Sequence, residues 1–503
     1  MIPFKNIPQN IRVPLFYAEV DNSMANSAQA NQRALIIGQI NSSGLPNSIA
    51  AGAATPNVPI ISQGVADAAV QGGPGSMLHL MTQAYRDNDT FGEVWYLPLA
   101  DDPAATAAVG NINFTTPATA NGTFYFYIAG TRIALPCLTT QTAANLATAL
   151  AAAINATPNL PVTAAVDGTV PTKVDITALN KGIAGNDIDL RVNYMGIAGG
   201  ESTPSGLTYA ITAMSGGATN PTLTTALANL GSEAFDFIAF PYTDTTSLDA
   251  IKTLLNDQTG RWSWDQQIYG HAFTAYRGTV GTQTTLGTAR NDQHASIMGF
   301  NDSPTPNWIW AAAVTGAAGA SLKVDPALPL QTVVIQGVLP PPIQSRFQLT
   351  DRNTLLYDGI STFTVASDGT VAIENLITTY QKNAFGQPDN SYLEVETMFT
   401  LAYVLRFLAT RVTSKFSRTK LAANGTRFAP GSAVVTPNII RADQIAAYQE
   451  LEYNGLVQNT AAFAQGIIVQ QNSTNPNRVD VLWPGTLINQ LRIFALLAQF
   501  RLQ

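Results

Sequence analysis

The stretch ALIIGQI, residues 34–40, is a short, continuous apolar run of the kind found in strands buried on both faces. EVWYLPL at 93–99 has the same character, and between them GPGSMLHLMTQAYRDND (73–89) reads as a helix after its Pro-Gly start. Strand, helix, strand in that order points to a parallel α/β unit. The rhythm then breaks off and returns near residue 221. There TLTTALANL reads as a helix, FDFIAFPY (235–242) as a buried strand, TTSLDAIKTLLND (245–257) as a helix opening on Thr/Ser caps, and IYGHAFTAY (268–276) as a strand. SIMGF and a helix carrying Trp308 and Trp310 continue the alternation.

Between the two halves, residues 111–213 have a different texture. TFYFYI (123–128) and TRIALP (131–136) flank Ala129-Gly130 as a hairpin, and an Ala-rich helix, QTAANLATALAAAIN (141–155), follows. Strand candidates in PVTAAV, KVDITA and DIDLRVNY complete a small α+β module with its own core. The economical reading is one α/β domain interrupted by an insertion. Its pieces are 23–110 and 214–338, with the inserted module, 111–213, on the outer surface. LPPP at 339–342 marks the start of a C-terminal α+β domain, 339–485, dominated by a helix near 391–418. At 503 residues the chain exceeds what one core usually serves.

Charged residues are only 12% of the chain, against about 25% in an ordinary soluble protein. With a mean hydropathy of +0.08, so little charge suggests surface buried against other copies, although a weakly charged soluble enzyme has the same composition. Residues 1–339 carry 13 Lys+Arg against 22 Asp+Glu, and residues 340–503 carry 13 against 11. That small basic excess is not the footprint of a nucleic-acid binder. The single cysteine, Cys137, excludes an intrachain disulfide. No signal peptide is expected at the start, and the uncharged stretch 303–322 is too interrupted by Pro, Asn, Thr and Gly for a membrane span.

Chemistry-bearing motifs are scarce. HExxH, Walker, CxxC and GxSxG patterns are missing. GGPGSM (72–77) is Gly-rich before a helix, where anions bind, but it lacks the Walker lysine, so a helix-starting turn is the simpler reading. His79, His271 and His294 show no ligand-like spacing. No catalytic, cofactor or metal residue is assigned, and an enzyme is not expected.

The two ends are more informative. MIPFKNIPQNIRVPLFYAEV is apolar but broken by Pro3, Pro8 and Pro14, so it is extended, with Ile7, Ile11, Val13, Phe16 and Tyr17 as its contact residues. VDVLWPGTLINQLRIFALLAQFRLQ (479–503) alternates as a strand at first. From Thr486 it fits either an amphipathic helix or a long strand, with Leu491, Ile493, Phe494 and Phe500 as contact residues. Residues 1–22 and 486–503 therefore read as sticky arms that need docking sites, within their own domain or on neighbours. In SYLEVETMFTLAYVLRFLATRVTSKFSRTK (391–420) the first two thirds are apolar almost all round and expected to be buried. Arg411, Lys415 and Arg418 fall on one face, and Arg406, Lys420 and Arg427 extend a run without an acidic residue between. Cations there also complement the helix macrodipole, which is reason enough for some of them.

FKNIPQNIRVPLFYAEVDNS, GGPGSMLHLM, EVWYLPL, FDFIAFPYTD, VLPPPIQSRFQLTDRNTLLYDGISTFTV and VDVLWPGTLINQLRIFALLAQFRL, in that order, resemble the contractile tail sheath proteins of Mu-like bacteriophages. The resemblance spans nearly the whole chain and is least diagnostic in 111–213. It implies a structural subunit of the virion tail, made in the host cytoplasm. Such subunits polymerise in sixfold helical layers around a tail tube, exchange strands through both arms, and contract to drive the tube through the host envelope. It further implies contacts with baseplate and tail terminator proteins, no cofactor, and no direct contact with nucleic acid or stable membrane insertion. Arg411, Lys415, Arg418 and Lys420 would then face the tube. A static structural or receptor-binding virion component is the alternative.

Overall fold

In the computed structural model, which describes residues 32–502, the strand Ala34–Gln39 lies wholly buried inside a six-stranded sheet. Strand order is Ala295–Phe300, His271–Arg277, Phe237–Ala239, Ala34–Gln39, Val94–Leu99, Ile60–Ile61. The first five are parallel and Ile60–Ile61 closes one edge antiparallel. The helix Met77–Arg86 packs on the sheet, with Ser76 capping it through a bond from the His79 amide. It crosses the helix Asn307–Leu322, whose Trp308, Trp310 and all alanines but Ala320 are buried. At that crossing a Cβ on Gly316 would stand 2.5 Å from the Tyr85 carbonyl oxygen, so only glycine allows the approach. The sequence-predicted strand over 235–242 is shorter than expected, Phe237–Ala239. The helix Val280–Thr288, which carries little apolar periodicity, is an element the sequence reading missed.

The inserted module runs from Val109 to Ser215, two residues wider at each end than expected. A four-stranded antiparallel sheet (Val109–Thr116, Val162–Val166, Lys173–Ala178, Thr208–Ser215) and a three-stranded one (Gly122–Ile128, Thr131–Cys137, Leu190–Val192) enclose the helix Ala143–Ala156. Phe114, Phe124, Phe126, Leu146, Leu150, Ile154 and Ile176 form its core. Ala129 and Gly130 make the two-residue hairpin with φ of 51° and 82°, the mirror-image turn that matches strand twist.

This module caps the carboxyl ends of the parallel strands. Asp187 accepts from Arg277 Nε at 2.7 Å, and its other oxygen accepts from the Asn307 amide at 2.5 Å. The module thus supplies the N-terminal cap of the tryptophan helix, whose own cap position is Pro306. Asn180 accepts from the Met77 amide and donates to the Ile40 carbonyl, both at 2.9 Å.

Leu-Pro-Pro-Pro at 339–342 is a surface strap rather than a domain boundary. Ser303 Oγ donates to the Leu339 carbonyl at 2.6 Å and Tyr194 Oη to the Pro340 carbonyl at 2.6 Å. Beyond it, Leu355, Ile360, Phe363, Val371, Ile373, Leu376, Val395 and Phe399 all belong to the main core. Phe399 stacks on Phe237 at 4.8 Å. A separate small core gathers Val404, Tyr448, Leu451, Leu456, Val457, Phe463 and Ile467 around Ala327. The change of core therefore does not coincide with residue 339: along the long helix Val395–Phe416, Phe399 packs in the main core and Val404 in the small one. That helix is buried up to Val404, about half its length rather than two thirds.

Among the described residues no helix is long and apolar enough to cross a membrane. His271 is fully buried against Phe273 and Phe399, with Nε2 2.8 Å from Ser296 Oγ. Burial, and secondarily the nearby His294, hold its imidazole well below the usual histidine value. The unfolded chain therefore binds this proton more readily than the fold does. The stability contribution is complete above about pH 6.5 and declines as pH drops below it, by about 1.4 kcal/mol per unit. Thermal melts at pH 7 and pH 5 should show the loss, with a shallower slope in His271→Gln; equal slopes would assign the acid sensitivity elsewhere.

Candidate functional site

In an open α/β sheet, ligands bind beyond the carboxyl ends of the strands where the strand order reverses. Here that position lies between Ala34–Gln39 and Phe237–Ala239, and protein groups fill it. Gln39 Nε2 donates to Asp101 Oδ1 at 2.7 Å and to the Lys181 carbonyl at 2.6 Å, while Tyr242 Oη donates to Gln39 Oε1 at 3.1 Å. The glycine loop at 72–75 is similarly committed. The Gly75 amide donates to His79 Nδ1 at 3.2 Å and the Met77 amide to Asn180, so the donors an anion needs are taken. Gly75 has φ +74°, and a Cβ there would strike the Leu160 carbonyl; the loop exists to let module and sheet approach. His294 Nε2 sits 2.8 Å from Asp257 Oδ1 and its ring stacks on Trp262, a buried structural role. Among the described residues no group of three His, Cys, Asp or Glu has metal-binding geometry.

What the structure leaves open is the C-terminal segment. The hairpin Ile468–Gln471/Val479–Leu482 leads through Trp483 to Thr486–Leu487, which pairs antiparallel with Val457–Gln458. Tyr448 Oη accepts from the Thr486 amide at 3.0 Å. Neither a long strand nor a helix follows; residues 488–502 are irregular. Leu491 is 69% exposed, Ile493 84%, Phe494 80%, Leu497 83% and Phe500 83%. The hairpin also exposes Ile468, Val481 and Leu482. Contiguous apolar surface of this extent marks an interaction site. The N-terminal contact residues Ile7, Ile11, Val13, Phe16 and Tyr17 lie outside the described residues. The first described residues, Gln32 and Arg33, lie at the amino edge of the sheet, where Arg33 pairs with Glu93 and Glu233.

The cationic run divides in two. Arg406 donates to Asp236 Oδ1 at 2.5 Å and to the Ile268 carbonyl, fastening the long helix to the sheet. Arg411 is clamped between Asp443 and Glu450 of the helix Pro437–Tyr453, with Nη1 2.7 Å from Glu450, and Lys415 reaches Asp443 at 2.6 Å. Arg411 and Lys415 thus depart from the expectation of a free basic face, because their acidic partners stand on the neighbouring helix. Arg418, Lys420 and Arg427 are exposed and make no ion pair among the described residues. They sit beyond the helix end and on the loop between Lys420–Leu421 and Val434–Val435. Arg427 stands in the loop that the Lys420–Leu421/Val434–Val435 pairing closes.

Family models describe two portions of the chain: the phage tail sheath protein central domain matches residues 216–379, and the phage tail sheath C-terminal domain matches residues 387–501. The Mu-like prophage FluMu tail sheath protein of Haemophilus influenzae is 40% identical over 501 residues, covering 99% of both chains. Among solved structures, a sheath tail protein from Desulfitobacterium hafniense matches with a TM-score of 0.47 and 14% identity, covering 95% of this chain and 97% of that one. The contracted helical sheath of the anti-feeding prophage matches with a TM-score of 0.47 and 12% identity, covering 98% and 100%.

Proposed function

The chain belongs to the phage tail sheath protein family, and from that premise we propose that it polymerises into a sixfold helical sheath around a tail tube and contracts. It is a structural subunit of a phage tail. The observation that carries the proposal is the C-terminal segment, where Leu491, Ile493, Phe494, Leu496, Leu497, Phe500 and Leu502 face solvent within twelve residues of chain. A second copy of the chain is its occupant. Main-chain pairing tolerates sequence and hinges easily, so arms that add strands to neighbours keep a lattice joined while its subunits rotate. The N-terminal residues 1–22 act in the same way. Such contacts are head-to-tail, as a helical lattice requires.

No nucleotide chemistry is invoked. The extended lattice is a kinetic trap, and contraction gains inter-subunit contacts. Assembly takes place in the host cytoplasm, and the sheath ends on baseplate and terminator proteins. The unpaired cations Arg418, Lys420 and Arg427 face acidic patches on the tube. Exposed ionic contacts of this kind are individually weak and salt-screened, which suits a contact that must release. Reversing all three to Glu, with the tube protein co-expressed, is expected to yield folded subunits and empty cylinders. Tube-filled sheaths at the normal yield would remove these residues from the tube contact. Arg411→Glu differs in kind: it sets a third negative charge beside Asp443 and Glu450 and unsettles the fold itself.

Contraction is tested by imaging tube-filled sheaths before and after mild denaturant. Shorter, wider cylinders are expected. Dimensions that stay fixed until the sheath dissociates would make it a static casing.

A further inference from the structure

Hydrogen bonding along the C-terminal segment stops abruptly at Arg492. Up to that residue the chain is held within its own subunit. The Ile488 amide donates to the Leu456 carbonyl at 3.1 Å, and Gln331 Nε2 donates to the Leu491 carbonyl at 3.1 Å. Arg492 Nη2 then donates to Glu394 Oε2 and to Glu396 Oε2, each at 2.7 Å. Glu396 is wholly buried, and its other oxygen accepts from the Leu330 amide at 2.7 Å. From Ile493 to Leu502, among the described residues, the chain makes no hydrogen bond or ion pair.

We propose that Arg492 is the fixed pivot of the arm: its clasp on Glu394 and Glu396 retains everything up to residue 492 in the parent subunit, and only residues beyond it cross into a second copy. The proposal rests on the strand-exchange reading above and specifies where exchange begins. A buried carboxylate such as Glu396 is costly without a cation, so the charge of Arg492 holds the arm's root at this place. Past the pivot, in IFALLAQFRL, Phe494, Leu496, Ala498, Phe500 and Leu502 share one face when extended; the other carries Ile493, Ala495 and Leu497 and turns polar only at Gln499 and Arg501. Ten extended residues reach about 33 Å from the pivot. The clasp also sits at the amino end of the long helix, whose other end leads to the unpaired cations Arg418 and Lys420. A helix of 22 residues is a rod about 33 Å long. The arm's root therefore moves with that rod, and displacement at the cationic end shifts the point from which the arm reaches its neighbour.

Trypsin reads the clasp directly in full-length subunits kept dilute enough not to assemble. Arg501 is unpaired and should be cut at once, whereas Arg492 should resist. Glu394→Gln with Glu396→Gln should speed cleavage after Arg492 by about tenfold or more, the loss expected for a charge-assisted bond, releasing peptide 493–501. Arg406 and Arg411, held inside the fold, report in the same digest whether the variant remains folded. If it does not, Glu394→Gln alone gives the same reading with a smaller increase. Cleavage after Arg492 as fast as after Arg501 in the unmodified protein would overturn the pivot, as would a folded variant with unchanged resistance. Cylinder formation is scored separately. Its failure in the unmodified protein would remove the exchange reading, while the digest would still decide whether the clasp holds.

Discussion

Removal of residues 493–503 is expected to leave a folded, soluble subunit that forms no cylinders at any concentration the full chain needs. The segment contributes nothing to the subunit's own cores. Yet it carries Ile493, Phe494, Leu496, Leu497, Phe500 and Leu502, each at least 77% exposed. Burying one such side chain is worth about 1.5–3 kcal/mol, and a nanomolar contact amounts to only about 12 kcal/mol in all. Loss of six is therefore beyond what the remaining lattice contacts absorb. Sedimentation and electron microscopy of the truncated protein check this; cylinders of normal length would remove the C-terminal arm from the lattice. Cutting farther back, at Thr486, has a different effect. It takes away the strand paired with Val457–Gln458 and the bonds between Tyr448 Oη and the Thr486 backbone, so the small C-terminal core loosens as well.

The second large effect concerns the inserted module. Asp187→Ala should destabilise the subunit by about 3–5 kcal/mol, the cost of leaving a buried charge without its partner. It leaves Arg277 only backbone carbonyls, those of Ser303, Thr305 and residue 187, and uncaps the helix Asn307–Leu322 in one step. Replacing the whole module, 109–215, with a Gly/Ser linker should be worse, since Asn180, Lys181 and Asp187 all bond to the sheet's carboxyl edge. Urea unfolding followed by tryptophan fluorescence, to which buried Trp308 and Trp310 contribute, measures both. Thr140→Ala, on an exposed module turn with no side-chain hydrogen bond among the described residues, is the control and should leave the midpoint unchanged. A module-deleted subunit that folds and assembles normally would make the module a detachable decoration, as its separate core had suggested from sequence.

These two cases also mark what the sequence could and could not disclose. ALIIGQI and EVWYLPL were legible because strands buried on both faces need no polar alternation. Ala129-Gly130 was legible because a two-residue mirror-image turn demands positive φ. The arm was legible as apolar and needy, although its form was not: from Ile493 onward it makes no hydrogen bond or ion pair among the described residues, so neither periodicity decides it. The ties of the module were hidden because Asp187 caps a helix that begins 120 residues later. Arg411 and Lys415 looked free because the run around them lacks acids, whereas their partners, Asp443 and Glu450, stand on another helix. Leu-Pro-Pro-Pro looked like a linker because proline marks linkers and straps alike; only Ser303 and Tyr194, far away in sequence, distinguish the two.

The central claim, that this subunit builds a sheath by lending its arm to neighbours, is tested most directly by electron microscopy of the purified full-length protein. Hollow cylinders of sixfold helical symmetry, with density for residues 493–502 continuous into an adjacent subunit, are the expected result. Monodisperse single subunits at every concentration, or cylinders in which that segment folds back on its own subunit, would contradict it.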